Sequence, residues 1–192
     1  MINFVGAGSG AADLITVRGK KLLEEADVII YAGSLVNKEL LDYAKEGCEI
    51  YNSAYMTLEE VTEKMIDAEK KGLKTVRLHT GDPCLYGAIR EQMDILDENK
   101  IEYAVCPGVS SFCGAAAALN LEYTLPNVSQ SVIITRMAGR TPVPEKESIE
   151  SFASHNATMV IFLSTSMLEE LSKRLVSGGY KKETPAAIVY KA

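Results

Sequence analysis

Short apolar runs alternate along the first 119 residues with stretches whose apolar positions recur every three or four residues. Ile2-Asn3-Phe4-Val5, Val28-Ile29-Ile30-Tyr31, Cys48-Glu49-Ile50-Tyr51, Thr75-Val76-Arg77-Leu78 and Tyr103-Ala104-Val105-Cys106 read as five strands. Between them the period lengthens. Thr16 caps a helix with Val17, Leu22 and Leu23 on its apolar face, and Asn37 caps a short one carrying Leu40, Leu41 and Ala44. Thr57 and Glu60 form a capping box for a helix that buries Val61, Met65, Ile66 and Ala68 and stops at Gly72. A further helix opens near Tyr86 and carries Ile89, Met93 and Leu96, and an alanine-rich one runs from Ala115 to Leu119. Strands alternating with helices predict an α/β domain with a parallel sheet over residues 1–119.

The texture changes beyond that point. Residues 120–130 have no period and read as a linker. Ser131-Val132-Ile133-Ile134-Thr135-Arg136 is a strongly β-branched strand, followed by a loop through Pro144, a helix around Ile149, a strand at Met159-Val160-Ile161-Phe162-Leu163 and a helix from Met167 to Val176. Gly178-Gly179 closes that helix, and Ala187-Ile188-Val189-Tyr190 begins another strand. Residues 131–192 therefore read as a second, mixed α/β domain. Ending on a fresh strand implies that this domain is incomplete at its C-terminal end.

Composition narrows the function classes. A chain of 192 residues with 47% apolar and 24% charged residues builds a globular core. The net charge of -6 argues against a nucleic-acid or membrane-surface binder, so an acidic ligand needs a local cluster of Arg or Lys. No apolar run is long enough to span a bilayer, and the start lacks the basic segment of a signal peptide, which gives a cytoplasmic location by default. Cys48, Cys84, Cys106 and Cys113 form no Cys-x-x-Cys pair, and His79 and His155 are the only histidines, so metal-ligand spacing is absent and the thiols read as buried and reduced.

Candidate chemistry gathers at the carboxyl ends of strands. His79-Thr80-Gly81-Asp82-Pro83-Cys84-Leu85-Tyr86-Gly87 punctuates the fourth strand with a glycine, a backbone-bonding Asp and a Pro that forces Asp82 into extended geometry. Pro107-Gly108-Val109-Ser110-Ser111 ends the fifth strand in the same way, and the two loops on adjacent strands would make a pocket. Ser110 reads as a helix N-cap rather than a hydrolase nucleophile, since only folding would bring His79 near it. Gly6-Ala7-Gly8-Ser9-Gly10-Ala11 fits the dinucleotide fingerprint Gly-x-Gly-x-x-Ala, but the second strand ends in Tyr31-Ala32-Gly33-Ser34 without the ribose-binding acid. That absence argues against NAD and against Rossmann-type methyltransferases. Arg136 and Arg140, with Arg77 and Arg90, are the candidates for an anion patch, against the plainer reading of solvated surface arginines.

Taken together, the opening glycine loop, Gly81-Asp82-Pro83 and Val105-Cys106-Pro107-Gly108 resemble the tetrapyrrole (corrin/porphyrin) methylase family over nearly the whole chain. More specific segments of the resemblance are Tyr31-Ala32-Gly33-Ser34-Leu35-Val36, Leu125-Pro126-Asn127-Val128-Ser129-Gln130 and Gly139-Arg140-Thr141-Pro142-Val143-Pro144. The resemblance implies two α/β domains with S-adenosylmethionine in the cleft between them, a homodimer, and methylation of precorrin-4 or cobalt-precorrin-4 at C11 in cobalamin biosynthesis. By motif, Thr80, Gly81, Asp82, Leu85, Tyr86, Ser110, Ser111, Leu163 and Ala187 would contact the methyl donor. A tetrapyrrole would lie over Gly6, Gly8 and Gly10 with Arg136 and Arg140 near its carboxylates. The family's first loop usually reads Gly-x-Gly-Pro-Gly-Asp; here Ser9 stands for the Pro and Ala11 for the acid. Methyl transfer from a sulfonium needs alignment and exclusion of water rather than a metal or a covalent enzyme intermediate, and the residues single out no general base. Asp82 is the expected polar partner of the donor. The competing readings are an NAD-dependent oxidoreductase, resting on the first glycine loop alone, and a non-catalytic module that holds a tetrapyrrole or nucleotide.

Overall fold

Strands β1 (Ile2–Gly6), β2 (Val28–Tyr31), β3 (Glu49–Asn52), β4 (Thr75–His79) and β5 (Tyr103–Cys106) form one sheet, all parallel, in the order β3-β2-β4-β1-β5. The structure is a computed structural model that describes residues 1–139 and 141–189, with the side chain of Ser34 excepted. These residues gather into two units, Met1–Ala118 and Leu119–Val189.

The runs of the first unit are continuously apolar because helices cover both faces of the sheet. Ile2, Phe4, Val28 and Ile30 pack against Val61, Met65 and Ala68 of α2 (Leu58–Lys70) and Leu96 of α3 (Arg90–Glu98). Val5, Ile29, Tyr31, Val76 and Leu78 face Leu23 of α1 (Val17–Glu25) and Leu40 of a 3-10 helix over Lys38–Tyr43. The caps read from sequence are present: Thr16 accepts the Gly19 amide, Asn37 that of Glu39, and Thr57 and Glu60 close a reciprocal box. Each such cap stabilises its helix by about 1 kcal/mol.

Two helices differ from expectation. α3 begins at Arg90, not near Tyr86, because Tyr86 (φ +56°) and Ala88 (φ +50°) adopt left-handed backbone that no α-helix accommodates. α4 (Ser111–Ala118) starts immediately after Ser110, earlier than its run of alanines indicated.

The second unit holds a two-stranded parallel sheet, β6 (Val132–Arg136) beside β7 (Thr158–Phe162), with α5 (Ile149–Ala153) and α6 (Leu168–Gly178). Its core is Met137, Ile149 and Leu171, backed by Met159, Ile161, Met167 and Leu175. Arg174 of α6 clamps Glu150 of α5 with two bonds of 2.6 and 2.8 Å. Gly178 allows the same two helices to meet, since a Cβ there would sit 2.7 Å from Glu150 Cα. The aperiodic stretch before β6 is fastened to β7. Thr158 Oγ1 donates to the Tyr123 carbonyl at 2.8 Å, and Ser129 Oγ accepts the Thr158 amide at 3.0 Å. Ala187, Ile188 and Val189, expected as the start of a strand, are irregular; Tyr190 lies outside the described residues.

Candidate functional site

The order β4-β1-β5 separates the fourth and fifth strands that the sequence reading made neighbours. Their loops nevertheless meet, by crossing over the end of β1. Gly6 makes this possible: a Cβ there would lie 2.5 Å from Gly108 Cα and 2.6 Å from the Gly81 carbonyl oxygen. A Cβ on Gly108 would overlap that same carbonyl. Gly8 (φ +85°) and Gly81 (φ +59°) exchange backbone bonds, Gly81 N–H to Gly8 O at 3.0 Å and Gly8 N–H to Gly81 O at 3.3 Å. The glycines therefore serve close packing of three loops.

Asp82 ties the crossing together. One carboxylate oxygen accepts the Cys84 amide at 2.7 Å, and the other accepts the Gly108 amide at 3.0 Å. Both oxygens thus hold backbone on the two loops, and the structure gives Asp82 the job of fixing their geometry. Leu85 follows in a turn whose amide bonds to the Asp82 carbonyl at 3.2 Å. Gly87 allows the loop to fold back on the Pro83 carbonyl. Tyr86 stands 43% exposed on left-handed backbone, a conformation costing about 1–2 kcal/mol for such a residue. Thr80 is half-buried at the loop's start. Across the junction, Ser110 is buried and its carbonyl accepts the Cys113 amide at 2.9 Å, while Ser111 is exposed at the first turn of α4. The N-terminus of a helix carries a partial positive charge that favours an acceptor oxygen.

The opening loop departs from a dinucleotide fingerprint in structure as well as in sequence. That motif opens directly into a helix aimed at the pyrophosphate. Here a 3-10 turn over Ala12–Leu14 intervenes, and α1 starts only at Val17. Gly10 is exposed, and its carbonyl accepts Asn37 Nδ2 at 3.1 Å. The buried Ser9 hydroxyl has no partner.

In the first unit, Arg77 and Arg90 are each engaged apart from the loops. Arg77 is buried at 6% exposure, contrary to the surface reading, and desolvation pulls its guanidinium down to about 10. Arg90 is exposed and paired with Asp94 and Asp97 on α3. Arg136, in the second unit, donates to the carbonyls of Met137, Thr141 and Pro142 and so braces its own loop. Arg140 lies outside the described residues. In that unit Leu163 follows β7 with φ +55° and is exposed, and Ala187 is exposed in irregular chain.

His79 is buried beside Phe4, its ring centroid 6.2 Å from that ring, and its Nε2 has no partner. Burial, reinforced by the neighbouring Arg77 charge, lowers it to about 3. A histidine so hard to protonate is a poor base for Ser110 or for a substrate. The thiols correct the sequence reading: Cys106 is buried, Cys48 half-buried, and Cys84 and Cys113 exposed. Burial and the Asp82 carboxylate raise the Cys84 thiol, which keeps it protonated.

Two structural contributors escaped the sequence reading. Gln92 accepts from Arg77 Nε at 3.0 Å and donates to the Ala88 carbonyl at 3.0 Å. Its place four residues after Ala88, on a helix facing the buried alternation of Thr75, Arg77 and His79, was the available signal. Ser164, 2% exposed, accepts the Met137 amide at 3.0 Å and donates to the Phe162 carbonyl at 2.7 Å.

Comparison with known proteins agrees with this architecture. Residues 1–192 match the family described as Tetrapyrrole (Corrin/Porphyrin) Methylases. The chain is 58% identical over 188 residues to a cobalt-precorrin-4 C(11)-methyltransferase of Methanocaldococcus jannaschii, covering 98% of this chain and 73% of that protein. It is 46% identical over 188 residues to the enzyme of the same name from Priestia megaterium, with the same coverage. The X-ray structure of a cobalamin biosynthetic enzyme, cobalt precorrin-4 methyltransferase, superposes with a TM-score of 0.90 at 45% identity, covering 93% of this chain and 75% of that one.

Proposed function

The chain belongs to the tetrapyrrole (corrin/porphyrin) methylase family, and on that premise we propose that it transfers a methyl group from S-adenosylmethionine to C11 of precorrin-4 or its cobalt complex. The observation that carries the reading is the three-loop junction at Gly6, Gly81 and Gly108, pinned by Asp82, in a chain so similar to enzymes named for that reaction. The residues fit such a donor. The positive N-terminal end of α4 suits its hydroxyl or carboxylate oxygens, and exposed Tyr86 offers aromatic surface to its cation or its adenine.

When bound, S-adenosylmethionine supplies an electrophilic methyl on a cationic sulfur; attack by the ring carbon breaks the sulfur–methyl bond and leaves a neutral thioether. This chain's residues act by placement. Asp82 and the glycine contacts hold the loops after β4 and β5 rigid, which spares the alignment entropy that such a displacement otherwise costs. Thr80, Gly81, Leu85, Tyr86, Ser110 and Ser111 form the proposed donor wall, with the ring over the exposed edge at Gly10. Arg136 is proposed to act on the ring's carboxylates through the loop it braces.

The reading includes a homodimer in the cytoplasm. Among the described residues, no helix is long and apolar enough to cross a membrane. The test is incubation with precorrin-4 or its cobalt complex and a donor bearing an isotopically labelled methyl. The expected result is one S-adenosylhomocysteine released per methyl gained, with the label at C11 by carbon NMR. Release without ring methylation, or label at another carbon, would refute the assignment.

A further inference from the structure

Arg77 lies mid-strand in β4, whose adjacent residues Val76 and Leu78 are fully apolar and buried. A buried guanidinium is costly, and hydrophobic residues of similar volume often serve stability as well or better. Arg77 donates to the Ile30 carbonyl of β2 at 3.1 Å and, from Nε, to Gln92 Oε1 at 3.0 Å. The second bond has a directional consequence. An N–H donor demands the oxygen of the Gln92 amide, so the amide nitrogen is turned the other way. There it donates to the carbonyl of Ala88 at 3.0 Å.

Ala88 and Tyr86 are the two left-handed non-glycine residues of the loop after β4. Such residues persist where the surroundings over-determine them. The N-cap of α3, Ile89, supplies no side-chain bond, so Gln92 at the third helical position fastens the loop's exit. Gln92 is itself 5% exposed and cannot exchange this bond for water.

We propose that Gln92, oriented by the buried Arg77, is a positioning residue that holds the strained 82–89 loop in the shape that grips the methyl donor. The proposal rests on the reading of that loop as the donor wall. The chain of bonds runs from the β2 backbone through Arg77 and Gln92 to Ala88, and it touches no reacting atom.

Gln92→Glu separates its two bonds. The carboxylate still accepts from Arg77 but sets an oxygen against the Ala88 carbonyl; Gln92→Met loses both bonds. Hydrogen exchange is measured on the ligand-free parent and both variants, and S-adenosylhomocysteine binding by calorimetry. In Gln92→Glu, amides of residues 84–89 are expected to exchange about tenfold faster, with strands β1 and β4 unchanged and ligand affinity about tenfold weaker. Parent-like exchange in Gln92→Glu would overturn the proposal, since only the Arg77 bond would then matter. Faster exchange spread evenly over the strands would also overturn it, because the pair would serve the fold and not the loop. A parent that fails to bind S-adenosylhomocysteine would refute the donor reading, while the exchange data still decide whether Gln92 holds the loop.

Discussion

Both units join the loop after one strand to the loop after another through a single polar side chain, but they do so at different cost. In the first, the Asp82 carboxylate takes two amides, and at Gly6 and Gly108 three loops come into contact that admits no methyl group. In the second, the Ser164 hydroxyl accepts one amide and donates to one carbonyl, and, among the described residues, a Cβ on Gly139 in the facing loop would meet no atom within 4 Å beyond its chain neighbours. The strands beneath differ likewise. β1, β2 and β4 are buried along their length, whereas β6 and β7 are largely half-buried. Among the described residues, burial and close backbone contact are greater where the donor is proposed to sit.

The widest contrast lies between two glycine substitutions. Gly108→Ala forces a Cβ into the Gly81 carbonyl and is expected to cost more than about 3 kcal/mol in urea unfolding or to prevent folding. Gly139→Ala meets open space and is expected to stay within about 0.5 kcal/mol of the parent. Equal effects would abolish the distinction between the junctions.

Next in size is the pair of ties. Asp82→Ala orphans the amides of Cys84 and Gly108 and is expected to cost about 2–4 kcal/mol; Ser164→Ala orphans the Met137 amide and is expected to cost about 1–2. A larger loss for Ser164→Ala in urea unfolding would reverse the comparison.

A pH dependence in the first unit comes from His79. His79 has a native value of about 3, depressed from 6.5, so its neutral form is favoured by the fold. Its contribution is full above about pH 6.5 and is lost as pH falls toward 3, with a slope reaching about 1.4 kcal/mol per pH unit. His79→Phe is expected to remove that slope from the acid limb of the stability curve; an unchanged limb would mean that His79 titrates normally. Smallest of all, Arg90→Ala breaks exposed, solvent-screened pairs with Asp94 and Asp97 and is expected to leave the urea unfolding midpoint unchanged.

Much of this contrast was visible in the chain before folding. Strands buried on both faces must be apolar throughout, so Val28-Ile29-Ile30-Tyr31 announced itself, as did the local signatures at Thr16, Asn37 and Thr57. The insertion of β1 between β4 and β5 was not visible, because the lateral order of parallel strands is set by packing over long separations. That order puts Gly6 at the crossing of the loops and gives Asp82 two backbone bonds there. Ile89, Met93 and Leu96 keep helical spacing, yet the left-handed Tyr86 and Ala88 postpone the helix to Arg90. Arg77 looked like a surface residue because its charge outweighed its position between Val76 and Leu78. In the second unit, β-branched propensity at Ile188-Val189 pointed to a strand, but propensity without a pairing partner leaves irregular chain.

The most direct test is calorimetric titration of S-adenosylhomocysteine into the parent, Asp82→Asn and Ser164→Ala. Asp82→Asn retains one acceptor and sets an amide N–H against the other backbone donor, so it loosens the three-loop junction without removing the side chain. One site is expected in the parent, affinity at least about tenfold weaker in Asp82→Asn, and a smaller loss in Ser164→Ala. Binding in the parent that Asp82→Asn leaves unchanged would contradict the claim that this junction shapes the donor site.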